Sequence, residues 1–305
     1  MSTHPTAPGR HPDTLRDRAV GAYLGLAVGD ALGATVEFMT PREIADRYGV
    51  HKHIVGGGWL KLKAGAVTDD TTMTLALGEA ILAHDGQVVP EACARAFDAW
   101  MRAKPVDIGN TVRRNLIAWR RTGDPVAPES EHDAGNGAAM RLLPVALATF
   151  GLPPEAIAAA NRAQAHVTHH NRLSDAACEC LIALIHAGLA GRPTDALRAI
   201  DMLFTRHPVF VPPERRVDNP SAYIVDTVHA VVQTLGEHDD FEAGLVDVVN
   251  RGGDADTTGA IVGMLMGARI GRRGIPQRWL AALDPATHAA CRLQAIRLAS
   301  CVSRR

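Results

Sequence analysis

Aromatic residues are scarce in this chain, at 4%, although hydrophobic residues reach 47% and alanine and glycine are abundant. A β-sandwich fills the space between its sheets with valine, isoleucine and rings, so this balance disfavours one and favours closely packed helices. No strong period-2 alternation marks a strand either. CxxC spacing is absent from the five cysteines, Cys93, Cys178, Cys180, Cys291 and Cys301, and their number is odd. They are expected to be free thiols in a reducing cytoplasm. Lys and Arg form no stripe and the formal net charge is −1, which leaves nucleic-acid binding without electrostatic support. A signal-peptide pattern is missing from the polar, proline-containing Met1–Thr14. The longest early apolar run, Ala19–Gly29, stops at Asp30, too short to insert in a bilayer. A soluble, cytoplasmic protein is expected.

What is present points to an all-α fold, a compact orthogonal helical bundle. Punctuation by Gly, Pro and Asp/Asn/Ser predicts a first helix from about Leu15 to Gly33, after a tail at 1–14. Further helices are predicted at Thr72–Ala83, Pro90–Ala103, Thr111–Arg121, Ala138–Phe150, Pro154–Ala165, Ser174–Ala190, Thr194–Arg206, Ser221–Leu235, Phe241–Asn250, Thr258–Ile270 and Pro285–Val302. No linker divides 15–305, which reads as a single domain. His207–Pro220, with four prolines, reads as a long surface loop.

Glycine recurs every fourth residue at Gly21, Gly25, Gly29 and Gly33, and again at Gly259, Gly263, Gly267 and Gly271. That spacing lines one helix face with no side chain. Each such glycine costs roughly 1 kcal/mol relative to alanine in a helix interior, so both strips need a packing reason. They mark close helix crossings, either with each other or each with another helix.

Two acidic runs about 185 residues apart carry the chemistry: Thr68-Asp69-Asp70-Thr71 and Asp254-Ala255-Asp256-Thr257-Thr258. Each opens a helix, so each has an ordinary reading as an N-terminal cap. Together they offer clustered carboxylates that repel one another unless a cation intervenes. An all-oxygen donor set suits Mg²⁺ or Mn²⁺ rather than zinc. Glu37, an acid among apolar neighbours, is expected to have a raised pKa. Asp107 sits in a loop entering a helix, as either a polar site residue or a helix-terminal charge. Gly135-Asn136-Gly137 leads toward a helix start that suits a phosphate, without the Lys-Ser/Thr of a P-loop. Gly56-Gly57-Gly58-Trp59 either sets an indole over a ligand or makes a turn. His166, His169 and His170 lack zinc-motif spacing and read as pocket lining or loop structure, with Ser174-Asp175 as a helix cap.

Gly25–Gly33 with Glu37, then Thr68–Thr71, Gly135–Gly137 and Gly252–Gly259 appear in the order found in the ADP-ribosylglycohydrolases, and the chain resembles that family from about residue 15 to 300. Gly29–Thr40, Gly56–Leu62, Pro105–Thr111, Asp133–Arg141 and Ser221–Thr227 are most similar to the branch that acts on nitrogenase iron protein. The resemblance implies an all-α fold with two divalent cations, Mn²⁺ or Mg²⁺, at a cleft floor. It implies Thr68, Asp69, Asp70, Asp254, Asp256 and Thr257 as metal ligands, and Glu37 and Asp107 as the catalytic acid and base in an unassigned order. Asn110, Gly135, Asn136, Gly137, His169 and Tyr223 would line the ADP-ribose site. The activity implied is removal of ADP-ribose from an arginine of the iron protein, under control by a PII signalling protein and, through it, an ammonium channel. A hydrolase of another linkage or of a small molecule, and a non-catalytic ADP-ribose-binding module, are the alternatives. One departure is Thr72, where the nearest branch carries glutamate.

Overall fold

The computed structural model describes residues 12–302, and among these the fold is all-α, as expected. The tail expected at 1–14 lies mostly outside the described residues, and the first helix already begins at Pro12. Fourteen α-helices follow one another: α1 (Pro12–Gly33), α2 (Pro41–Tyr48), α3 (Asp69–Ala83), α4 (Pro90–Arg102), α5 (Asn110–Thr122), α6 (Leu143–Ala148) and α7 (Pro154–Ala165) in the first half. Then come α8 (Arg172–Ala190), α9 (Pro193–Arg206), α10 (Ile224–Glu237), α11 (Phe241–Val249), α12 (Ala255–Ile270), α13 (Gln277–Ala282) and α14 (Pro285–Val302). Short 3₁₀ turns occupy Pro208–Phe210 and Arg272–Gly274. Isolated backbone bridges, Gly57 with Leu62 and Gly135 with Tyr223, are the extended pairings among the described residues.

The two glycine strips pack on each other. A Cβ placed on Gly25 would stand 2.2 Å from the carbonyl oxygen of Gly263, one on Gly29 2.0 Å from that of Gly259, and one on Gly21 2.5 Å from that of Gly267. α1 and α12 therefore run antiparallel with their backbones touching, an approach that any side chain would block. Residues 19–37 and 251–268 are buried throughout, so this pair is the axis of the core and has no solvent-facing side. Helices buried on every side lose the amphipathic stripe that marks a surface helix. α14, α3, α8, α10 and α11 pack around the pair.

Two helices were not anticipated. α2 is opened by a capping box in which Thr40 accepts from the Glu43 amide while the Glu43 carboxylate accepts from the Thr40 amide. α13 is only six residues long. The helix expected over Ala138–Phe150 shrinks to α6, because Pro144 has no amide proton and its ring excludes a preceding helical turn. α8 is capped by Asn171, which accepts from the Leu173 and Ser174 amides; Ser174 is not the cap. α3 and α12 each begin three residues earlier than expected, which draws Asp69, Asp70 and Asp256 into their first turns. By length and composition α8 meets the criteria for a membrane-crossing helix, contrary to the expectation of no such segment, yet 56% of it is buried against the rest of the fold. All five cysteines are free, four of them buried.

Candidate active site

Packing of α1 on α12 dictates where the chemistry gathers. A Cβ on Gly33 would fall 2.2 Å from the Ala255 carbonyl oxygen and 2.6 Å from Asp256 Cα, so the last turn of α1 lies on the first turn of α12. The chain leaving α1 turns back through Glu37 and pairs with the loop entering α12: Phe38 donates its amide to Gly253, and Gly253 donates to Met39. Asn219 donates to the Arg251 carbonyl and Asp254 donates to that of Pro220, tying the end of the long 207–220 loop to the same place. Gly252 and Gly253 have φ of 71° and 63°, the left-handed region this tight passage requires.

Asp30 then brings in α3. Buried in α1, it accepts from the Thr68 amide at 2.9 Å, the Thr71 amide at 3.1 Å, and the hydroxyls of Thr68 at 3.0 Å and Thr71 at 2.5 Å. Thr68 and Asp254 make no side-chain cap on their own helices, so the capping alternative fails for both runs. Asp30 caps α3 from another helix, and it went unassigned in the sequence because a lone aspartate inside a glycine strip carries no positional signal. Burial pushes its pKa up to about 6 against the opposing pull of those donors.

The runs meet. Thr257 Oγ1 lies 3.4 Å from Asp70 Oδ2, and carboxylate oxygens of Glu37, Asp254 and Asp256 lie within 4.8 Å of one another. Burial, reinforced by Asp107, Asp30 and Asp254, pushes Asp69 up to about 7. Burial raises Glu37 to about 8, with Asp254, Asp107 and Asp69 adding to it and the Trp59 hydrogen bond opposing. Asp70 and Asp256 are driven well above the usual carboxylate range by burial and by the surrounding acids, and Asp254 is raised as well. Asp70 Oδ1 is buried with no hydrogen-bond partner. A satisfied Asp30 beside an unsatisfied Asp70 separates an acid that builds the fold from one that lacks its partner. Crowded, buried, all-oxygen donors with an orphaned oxygen fit a hard divalent cation.

The remaining expected residues surround this cluster unevenly. Asp107, in the α4–α5 loop, is half-buried and close enough to raise the pKa of Glu37 and Asp69. Asn110 is exposed at the first position of α5. Asn136 joins the cluster directly, its Nδ2 donating to Asp254 Oδ2 at 2.5 Å and to Thr227 Oγ1 at 2.9 Å. The 135–137 segment does not open a helix as expected; it runs into turns, and the Asn136 amide donates to the Ala222 carbonyl. His169 packs against these glycines, since a Cβ on Gly137 would lie 2.6 Å from its ring. Burial and the charges of Arg141 and Arg114 lower the His169 pKa to about 3. Tyr223, 40% exposed, immediately precedes α10 and bridges to Gly135 through the backbone. His166 instead pairs with Asp175 and His170 with the Ala127 carbonyl, so these two histidines are structural. Thr72, at the departing position, donates to the Thr68 carbonyl and accepts from Trp100 Nε1.

Trp59 was anticipated only as a ligand cover or a turn. Its Nε1 donates to Glu37 Oε2 at 2.6 Å, and its ring lies 5.4 Å from that of Phe38. Both rings are more than half exposed, and Phe38 has a φ of 62°, a strained value for a bulky residue.

Comparisons with known proteins agree with this arrangement. The model of the ADP-ribosylglycohydrolase family matches residues 11–303. The ADP-ribosyl-[dinitrogen reductase] glycohydrolase of Rhodospirillum rubrum is 50% identical over 89% of this chain and 92% of its own. The ADP-ribosylarginine hydrolase Tri1 of Pseudomonas putida (strain GB-1) is 32% identical over 88% of this chain and 75% of its own. A solved structure described as an ADP-ribosylglycohydrolase-related protein complex superposes with a TM-score of 0.82 at 35% identity, covering 94% of this chain and 99% of that one.

Proposed function

The chain belongs to the ADP-ribosylglycohydrolase family, and from that premise we propose that it removes ADP-ribose from a modified arginine of nitrogenase iron protein, reversing its inactivation. The observation that carries the reading is the meeting of the two acidic runs around the orphaned Asp70 oxygen, joined to a relative of half-identical sequence whose name specifies dinitrogen reductase. Thr68, Asp69, Asp70, Asp254, Asp256 and Thr257 would hold two divalent cations, Mn²⁺ in preference to Mg²⁺, which when bound supply Lewis-acid charge beside the ribose.

Cleavage breaks the bond between the anomeric carbon and a guanidine nitrogen, and positive charge grows on the ribose ring. Glu37 is the acid of this reading. Burial, the main cause of a pKa of about 8 in the cation-free fold, favours a proton on the carboxyl, ready for the departing guanidine nitrogen. Trp59 fixes the orientation of that carboxyl. Asp107, half-buried and in electrostatic reach of Glu37, takes the proton of the water that attacks the anomeric carbon. Asn136 holds Asp254 in place, while Asn110, Gly135–Gly137, His169 and Tyr223 form the wall for the ADP-ribose. The neutral His169 adds shape and hydrogen bonding there without charge. The same reading places the enzyme in the cytoplasm, with a PII signalling protein and, through it, an ammonium channel as the route to reversible membrane association.

The test is release of ADP-ribose from arginine-ADP-ribosylated iron protein, in Mn²⁺ and after chelation, with Asp256→Ala alongside. Release that requires both metal and Asp256 is expected. Folded protein that binds ADP-ribose without releasing it from any linkage would point to a binding module. Release only from another linkage would redirect the substrate.

A further inference from the structure

The α1–α12 pair has a second end. Asp17 and Asp30 lie on the same helix thirteen residues apart, which puts about 20 Å between the acidic cluster and the start of α1. At that far end a cavity of about 580 Å³ opens between three segments. Arg16 comes from α1, Arg272 and Arg273 from the 3₁₀ turn after α12, and His288 and Arg292 from α14. Val20 and Ile296 supply an apolar patch, and Asp17 is the only acid on the lining among the described residues.

Four guanidinium groups in one concavity is an excess that the rest of this near-neutral chain does not share. None of the four forms a salt bridge among the described residues. His288 registers the crowding, since burial and the charges of Arg272 and Arg292 lower its pKa. Guanidinium forks match phosphate oxygens two at a time, and several forks converging on one volume select several phosphates. The volume lies in the range of small-molecule sites, roughly 300–1,000 Å³. The apolar patch of Val20 and Ile296 beside the arginines gives a sugar or base attached to those phosphates a surface to rest on.

We propose that this cavity is a second ligand site, distinct from the acidic cluster, that takes a small polyphosphate of the nucleoside di- or triphosphate class. It is formed by residues that are remote in sequence, joined because α12 returns antiparallel along α1 and α14 packs on α1.

Calorimetric titration with ATP in the presence of EDTA tests the assignment, using wild type, the double variant Arg272→Ala/Arg292→Ala, and Asp256→Ala. Chelation removes any cation that would draw phosphates to the acidic cluster, so the two sites are read separately. Binding that weakens at least tenfold in the double variant, survives in Asp256→Ala and falls steeply with added salt is the expected result. Both arginines reach solvent, and an unchanged melting temperature of the double variant checks that the fold is intact. Absent ATP binding, or affinity that ignores the arginine substitutions, overturns the proposal. Sulfate binding as tightly as ATP reduces the cavity to diffuse anion attraction and overturns it too. An acidic peptide that binds through these arginines when ATP does not would make the patch a protein surface instead.

Discussion

Glu37, Asp254 and Asp256 bring their carboxylate oxygens within 4.8 Å of one another, and carboxylate oxygens of Glu237 and Asp247 lie as close to a ring nitrogen of His238, a short way upstream of Asp254. By donor type alone each grouping could hold a cation. In the second, the cation is already part of the chain. Arg251, fully buried, donates to Asp247 Oδ2 from Nε at 2.9 Å and from Nη2 at 2.6 Å, and Arg216 adds a further bond at 3.0 Å. Those guanidinium groups hold the Asp247 pKa down despite burial. In the first grouping no acid forms a salt bridge among the described residues, and every pKa goes up. Clustering of acids therefore says little by itself. Whether the fold supplies the opposite charge decides whether a cluster is a brace or a site.

The comparison can be broken by one substitution in each region. Asp247→Asn should destabilise the protein by about 3 kcal/mol, because it leaves the buried Arg251 with only the more exposed Glu237 carboxylate, at 3.3 Å, to balance its charge. Asp256→Asn should do the reverse in metal-free protein, raising stability by removing one charge from a crowd of like charges. Urea unfolding of both variants in EDTA gives the signs directly. A loss of stability in metal-free Asp256→Asn would show that its carboxylate is satisfied within the fold.

What lets the first cluster exist is the backbone contact of α1 and α12, and Gly263 lies at its centre. Alanine there gains roughly 1 kcal/mol of helix propensity. Its Cβ would nevertheless stand 2.0 Å from the Gly25 carbonyl oxygen, a backbone atom that cannot rotate away. Overpacking of this kind should win, for a net loss of about 2 kcal/mol, together with a weaker cation response as the first turn of α12 shifts. Unchanged stability in Gly263→Ala would mean that the helices are free to separate.

A third effect depends on pH. Asp69 rises from 3.8 to about 7 and Glu37 from 4.5 to about 8, so the folded state favours their protonated forms. The stability they contribute is fully present below the unfolded values, near pH 4, and is lost as pH rises through about 7 and about 8. Metal-free protein should thus melt progressively lower from pH 5 to pH 9. Mn²⁺ should raise the melting temperature more at pH 8.5 than at pH 5.5, when it meets carboxylates that have already lost their protons. Asp247, paired internally, should give no such response to Mn²⁺, and an Asp247→Asn background that erased it would transfer the cation to the wrong grouping.

Much of this was open to sequence reading, and the failures share a cause. Local patterns reported local structure well: the Pro285–Val302 helix was placed to the residue, and the acidic runs and Glu37 do gather. The glycine strips announced a close crossing, but spacing along a helix contains no information about which partner fills the groove. Asp30 was passed over for the same reason, since its role is to cap a helix that begins 39 residues later. Arg141 falls within the helix predicted over Ala138–Phe150 and carries no role there; in the structure it lies in a turn, fully buried, bonded to Gln164 and Thr168 and set over the Phe97 ring. The four arginines of the far cavity look scattered along the chain, which is why no basic stripe appeared. α2 is different, because its Thr40 and Glu43 capping box was visible and went unused.

The smallest expected effect concerns the rim of the acidic cluster, at Trp59. Replacing it with phenylalanine keeps a ring beside Phe38 and removes the Nε1–H that Glu37 accepts. A hydrogen bond to a neutral carboxyl contributes roughly 0.5–1.5 kcal/mol, so at neutral pH kcat/KM should fall by a few-fold, at most about tenfold. The direction of the pH effect is the sharper reading. The indole bond favours the ionised carboxylate and holds the Glu37 pKa down, so its loss must move that pKa upward from about 8. The limb of the pH–rate profile that reports Glu37 should shift to higher pH in Trp59→Phe, while KM for the ADP-ribosylated substrate changes little. A raised KM with an unmoved limb would assign Trp59 to substrate contact, and the comparison would then gain a residue that serves the ligand without tuning the acids.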